Sequence, residues 1–238
     1  TDPAITVCAF TQQILRLTRM LKMLGHYIIF YGAEGSNVEC DEFVQVVSRE
    51  VLQNTYGNYD WRKEFIKCGA REDLAHTTFS KNAVEEILSR KQQQDFLLCT
   101  EGLGHEAIAK KVNLLTVEPI VGYRGIFSTN HVYVSYAWMN YLYGQYAIGG
   151  DIWNDAVIPC SFDPSEYTIS PTKEDYFLFI GRLITDKGIH IAVEMTRRLG
   201  AQLIVAGQGS LESVGIVDAP HVKYIGSVGS VQRTELMS

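Results

Sequence analysis

The sequence predicts an α/β fold of two doubly wound parallel-sheet domains, one following the other. Three observations predict it. Short, nearly continuous apolar runs alternate with stretches whose apolar residues recur at helical spacing, the pattern of strand-helix-strand units covered on both faces. Glycine turns follow several of these runs, where a buried strand hands the chain to a helix. One polar segment, residues 165–175, lacks any apolar period and separates the two alternating halves.

Residues 4–10 (AITVCAF) read as the first buried strand. Thr11 reads as the N-cap of a helix in which Ile14, Leu15, Leu17, Met20, Leu21 and Leu24 recur at helical spacing, with Gly25 as its stop. Residues 26–32 form a second strand, parallel to the first through a right-handed crossover. A third is expected at 43–47, whereas 50–75 is polar and aromatic without a period. Phe79, Ala83, Val84, Ile87 and Leu88 make a helix, and 95–100 (DFLLCT) is a short buried strand. The turn EGLG leads into a helix from about His105 to Lys111, and 114–119 is a strand whose end carries Glu118. Residues 122–127 (GYRGIF) read as an exposed loop and 135–144 as an aromatic helix, whose Tyr136, Trp138, Tyr141 and Tyr143 are assigned to packing. A short strand and an Asp-Pro turn fill 155–164.

The linker puts the boundary at residue 171, giving domains 1–171 and 172–238. Beyond it come a strand (YFLFI), a Gly-Arg turn, an amphipathic helix opening at Lys187-Gly188, a strand (LIVA) and a strand ending at Ile225. Three parallel strands are too few to close a doubly wound sheet, so the second domain is expected to be incomplete, truncated or completed by another segment. Two such halves read as Rossmann-like domains facing each other.

Composition narrows the function classes. The chain of 238 residues is 46% hydrophobic and 20% charged, as in a soluble globular protein. Its net charge of -6 argues against a general nucleic-acid binder, and leaves room for a local basic pocket. No apolar run approaches the ~18 residues of a membrane span, and no leader pattern opens the chain. The five cysteines are scattered without a C-x-x-C, which favours a reducing, cytoplasmic setting. No Cys or His pair stands at ligand spacing, so no metal is expected.

The turn after YFLFI is the sharpest chemical signal. Gly181 permits close backbone approach, Arg182 offers a fork of donors, and Lys187 stands at the start of the next helix. A helix N-terminus favours anions already, so two cations there make a diphosphate clamp, or else two solvated loop charges. AGQGS after the next strand lacks the P-loop and G-x-G-x-x-G spacings. Gly226, Ser227 and Val228 either present backbone groups to a planar base or simply turn the chain.

From FIGRLITDKGIHIAVE through LIVAGQGS and VKYIGSV to the helix containing Arg233, the chain resembles the donor-binding domain of GT-B glycosyltransferases, in particular the retaining family 4 type. VIPCSFDPSEY resembles the passage between that family's two domains, and residues 6–34 its first strand-helix-strand unit. The resemblance implies a GT-B-like fold and transfer of a sugar from a nucleoside diphosphate sugar to a glycan, lipid or small-molecule acceptor, with retention. It implies that Gly181, Arg182 and Lys187 hold the donor diphosphate and that Gly226, Ser227 and Val228 meet the nucleobase. It places Thr100 where the family has a histidine near the reacting sugar, with His105 close by. His105 and Glu118 are the catalytic candidates, and Thr100 and Arg124 the acceptor-side ones, although a lone histidine at a helix start is more often a surface or capping residue. It implies no cofactor beyond the donor, no metal and no nucleic acid, and allows peripheral membrane contact and self-association through the second domain. The family's E-x7-E element has no counterpart in these 238 residues, and Phe10 to Gln13 replace its first glycine loop. The competing readings are a sugar-nucleotide epimerase or phosphorylase of the same architecture, and a catalytically incomplete nucleotide-binding subunit or fragment.

Overall fold

The computed structural model describes residues 1–3, 8–58, 60, 64–65, 71–149, 152–168 and 170–238. Two compact units emerge, Thr1–Asp2 with Gln13–Gly57 and Cys68–Ser161, and Pro3–Gln12 with Asn58–Lys67 and Phe162–Ser238. Every strand pairing among the described residues is parallel.

The N-terminal stretch departs from expectation. Residues 4–7 of the expected first strand lie outside the described residues, while Ala9 and Phe10 belong to helix α1 (Ala9–Met23). Gln12 N–H donates to Cys8 O, closing a turn ahead of Thr11, which therefore sits inside the helix rather than capping it. The stop at Gly25 is as expected: its φ of 84° suits glycine. β1 (Ile29–Ala33) pairs with β2 (Glu42–Val47). Helix α2 (Arg49–Tyr56) occupies part of the stretch without a period, capped by Ser48, whose hydroxyl accepts from Val51 N–H at 3.3 Å. Helix α3 (Leu74–Arg90) starts earlier than Phe79 because Asp73 caps it, accepting from His76 N–H at 2.8 Å.

A four-stranded sheet follows, in the order β3 (Phe96–Leu98), β4 (Leu115–Val121), β5 (His131–Tyr133), β6 (Ala156–Val157). Helices α4 (Glu106–Val112) and α5 (Tyr136–Tyr146) interleave with it. Val44, Val46 and Val47 of β2 pack on Ala83 and Ile87 of α3 and on Ile108 and Val112 of α4. Each such Val or Ile contributes about 1.5–3 kcal/mol by leaving water. A second cluster joins Val121, Tyr133 and Leu142, with Trp138 and Tyr143 half-buried against it. The packing expected of the aromatic helix fails for Tyr136, which is 69% exposed.

In the second unit β7 (Phe177–Ile180), β8 (Leu203–Ala206) and β9 (Val222–Tyr224) form one parallel sheet in that order. Helix α6 (Ile189–Leu199) links β7 to β8, and its Ile189 joins Leu183, Leu203 and Val205 in the core. Helix α7 (Ser230–Met237) follows β9. The polar segment read as a linker is tied to α7: Thr234 Oγ1 donates to Glu166 O (2.8 Å) and Ser238 Oγ to Thr168 O (3.0 Å). Among the described residues no helix is long and apolar enough to cross a membrane.

Candidate functional site

The strands of the second unit end side by side, and their exit turns interlock. Gly181 N–H donates to Ala206 O (2.9 Å), Leu183 N–H to Gln208 O (2.8 Å) and Gly207 N–H to Gly226 O (2.8 Å). The Tyr224 hydroxyl donates to the carbonyls of Gly207 (3.0 Å) and Gly209 (2.8 Å). Only glycine serves at 207: its φ is 152°, and a Cβ there would stand 1.8 Å from Gly181 O. Backbone contacts therefore bring the Gly181-Arg182 and Gly226 turns to one sheet edge, with Ser227 and Val228 half-buried beside them.

Leu183, 1% exposed, anchors the first turn in the core and leaves Arg182 and Lys187 on the outside. A 3-10 turn, Thr185–Lys187, closes through Gly188 N–H to Thr185 O (3.0 Å), and Gly188 at φ 75° delivers the chain into α6. The side chains of Arg182 and Lys187 are exposed and have no partner among the described residues. The first amides of a helix lack intrahelical acceptors and give its N-terminus a positive field. Two cations and that field make an edge suited to a dianion.

The first unit has an interlocked edge of another kind. Leu103 N–H donates to Gly125 O (2.8 Å), and Gly102, at φ 56°, lies so close that a Cβ would meet the Tyr123 ring at 2.6 Å. The loops carrying Thr100, His105 and Arg124 are thus neighbours. The His105 ring stacks on Phe79, centroids 5.6 Å apart, with Nε2 3.5 Å from Glu101 Oε2. His76 Nε2 lies 3.6 Å from the other Glu101 oxygen, and His76 Nδ1 3.1 Å from Asp73, which also accepts from the Tyr56 hydroxyl at 2.9 Å. Burial pulls the His105 pKa below the ordinary histidine value, opposed by Glu101. Arg124 is exposed and sits 5.5 Å over the Tyr141 ring.

Glu118 occupies the interior of β4 rather than its end, and is 0% exposed. Its Oε1 accepts from the Tyr123 hydroxyl (3.0 Å), and Oε2 from the N–H groups of Phe127 (3.0 Å) and Ser128 (2.9 Å). His131 Nε2 stands 3.5 Å from the same carboxylate, an ion-pair distance, while His131 Nδ1 lies 2.8 Å from Asp155. Asp155 accepts further from His131 N–H (3.0 Å) and from the Tyr143 hydroxyl (2.8 Å). Burial alone would raise the Glu118 pKa, yet His131 and the two amides hold it below the usual carboxylate value. Burial would lower that of His131, yet Glu118 and Asp155 together raise it. Residues 122–127 are consequently not the exposed loop expected: Gly125 is buried and Tyr123 half-buried, because Glu118 ties both ends down. Sequence reasoning missed His131 and Asp155; their one signal is a polar residue opening each of two short apolar strands.

Among the described residues no group of three His, Cys, Asp or Glu side chains is placed to hold a metal ion. No protein-family model matches the chain, and no curated protein matches it in sequence. Solved structures do. AviGT4, a glycosyltransferase involved in avilamycin A biosynthesis, superposes with a TM-score of 0.58 at 19% identity, over 98% of this chain and 57% of AviGT4. Anabaena HepE, solved in complex with UDP and glucose, gives 0.58 at 13% identity over 94% of this chain and 67% of its own. WaaB, a lipopolysaccharide outer core galactosyltransferase, gives 0.52 at 13% over 97% and 68%. At such identities the likeness is one of fold, the parallel-sheet α/β fold of GT-B glycosyltransferases. The chain spans 57% of the length of AviGT4.

Proposed function

We propose that this chain, built on the GT-B fold, moves a sugar from a nucleoside diphosphate sugar to an acceptor, with retention at the anomeric carbon. One observation carries the reading: Arg182 and Lys187 stand exposed and unpartnered among the described residues, on a turn that three neighbouring strands hold in place. The glycosyltransferase neighbours support it, and HepE was solved with UDP and glucose.

As the donor's glycosidic bond breaks, negative charge gathers on the departing diphosphate. Arg182 and Lys187 stabilise it from fixed positions, which is where preorganised donors act most strongly. Gly181 lets the backbone approach the phosphates, and the turn at Gly226, Ser227 and Val228 meets the base. On the acceptor side, His105 is neutral at pH 7 because burial lowers its pKa, so its imidazole can accept a hydrogen bond from the attacking hydroxyl. Thr100 and Arg124 flank that position. Glu118 acts as a positioning residue, holding Tyr123 and the chain at Phe127 so that Arg124 has a fixed place. Calorimetric titration with UDP and GDP tests the donor half. Replacing Arg182 or Lys187 by Ala is expected to cost roughly 1.5–3 kcal/mol of nucleotide binding, about ten- to hundredfold in Kd. Unchanged affinity in both folded variants rejects the clamp.

A further inference from the structure

A groove of about 580 Å³ opens between α3 and α4, well inside the size range of small-molecule sites. Val84, Leu88 and Ala107 give it an apolar floor, and Arg71, Lys81 and Lys111 line it as cations against the single carboxylate of Glu85. None of the three cations has an ion-pair partner among the described residues. Nearby cations are paired instead: exposed Lys110 with Glu106 at 2.6 Å and half-buried Arg90 with Glu42 at 2.8 Å. In a chain of net charge -6, an excess of unpaired positive charge around an apolar floor is a local inversion. Such a groove complements an anion joined to an apolar body, since three cations face a single carboxylate within it.

The groove also leads somewhere. The Arg71 guanidinium approaches Gly125, where a Cβ would lie 3.8 Å from it, and Gly125 follows Arg124. Thr77 and Ala107, both lining the groove, lie next to His76 and close after His105, the two histidines on either side of Glu101. The Thr77 hydroxyl already donates to Asp73 O (2.8 Å), which leaves Ser80 as the groove's hydroxyl donor. We propose that the α3/α4 groove holds the anionic, apolar end of the acceptor, so that the acceptor is a negatively charged amphiphilic glycoside whose sugar lies at Thr100, His105 and Arg124. The term acceptor rests on the glycosyl-transfer reading; the groove's preference for an anionic amphiphile does not.

The test compares glucose 1-(octyl phosphate), whose phosphodiester lies between sugar and octyl chain, with octyl glucoside, each titrated at low ionic strength into the full chain and into Lys81→Ala/Lys111→Ala. The phosphorylated probe is expected to bind at least about tenfold more tightly, and the double alanine variant to lose that preference. Lys81→Arg/Lys111→Arg is expected to retain it, because charge rather than shape is read. Added salt weakens the binding, as exposed charges are screened. Equal affinity for the two probes overturns the proposal, as does a double alanine variant that binds like the parent. Inorganic phosphate binding as tightly as the phosphorylated glycoside overturns it in favour of a bare anion site. Lysine-dependent sedimentation with anionic phospholipid vesicles, without soluble-probe binding, overturns it in favour of a membrane surface. UDP titration of the same samples keeps the two readings apart. Lost UDP binding with the groove preference intact rejects glycosyl transfer alone, and intact UDP binding without the preference rejects the groove alone.

Discussion

At β4 the Glu118 carboxylate is enclosed by Tyr123, His131 and the amides of Phe127 and Ser128, whereas beyond β7 the charges of Arg182 and Lys187 stand exposed without a partner among the described residues. Glu118 lies inside β4 and ties down the loop that follows it, whereas Arg182 and Lys187 lie on the turn leaving β7. Both loops are fixed by close glycine contacts, Gly102 against Tyr123 and Gly207 against Gly181. They differ in what the fixed frame does with charge. A buried charge must be answered by the protein itself, so Glu118 serves the fold. A charge held outward on a rigid turn contributes little to stability, and we propose that Arg182 and Lys187 serve a ligand instead. Substitutions at the two edges should therefore fail in different ways.

The largest effect is expected at the frame. Gly207→Ala sets a Cβ 1.8 Å from a backbone oxygen, a clash no side-chain rotation relieves. We expect a loss of about 5 kcal/mol in urea unfolding, together with loss of nucleotide binding. A loss below about 1 kcal/mol would show that the turns of β7 and β8 are not locked together. Next comes Glu118→Gln, which keeps the shape but removes the charge opposite His131. A loss of about 3 kcal/mol is expected, since removing one member of a buried pair strands the other. Nucleotide affinity should be unchanged.

A smaller effect is pH dependence of the first unit. His131 has a folded pKa above its ordinary value of 6.5, so its contribution is complete below 6.5 and is lost as pH rises through the raised value. Glu118 has a folded pKa below its ordinary 4.5, so its contribution is complete above 4.5 and is lost as pH falls through the lowered value. Stability from this pair is thus fullest between about pH 4.5 and 6.5 and declines on the alkaline side. His131→Gln is expected to abolish that alkaline decline in urea unfolding between pH 6 and 9; a decline that persists would assign it to other groups.

Much of the second unit is legible in the sequence, because two of its strands read as unbroken apolar runs, although only β8 is largely buried while Phe177 and Ile180 of β7 are exposed. FLFI and LIVA run straight into glycine turns and VKY reaches one after Ile225; a backbone contact demands glycine at 207 and a positive φ of 78° favours it at 226. The first unit hides more. β5 is three residues long, too short for periodicity, and α2 is a polar single segment marked only by its Ser48 cap. Residues 9–10, which group with the second unit, are apolar enough to suggest strand, yet they open α1, whose first turn is closed by Gln12 N–H donating to Cys8 O. The Glu118 network is invisible for a different reason. His131 and Asp155 reach it only through parallel strand pairing, which brings residues distant in sequence to the same level of the sheet.

The central claim is that charge at one edge maintains the fold and at the other awaits a ligand. One paired measurement tests it: UDP affinity by calorimetry and unfolding free energy in urea, on the parent, Arg182→Ala and Glu118→Gln. The account predicts opposite outcomes for the two variants. Arg182→Ala should bind UDP about ten- to hundredfold more weakly while its stability moves by less than about 0.5 kcal/mol. Glu118→Gln should lose about 3 kcal/mol of stability and bind UDP as the parent does. An Arg182→Ala protein that binds UDP like the parent, or that unfolds as readily as Glu118→Gln, would contradict it.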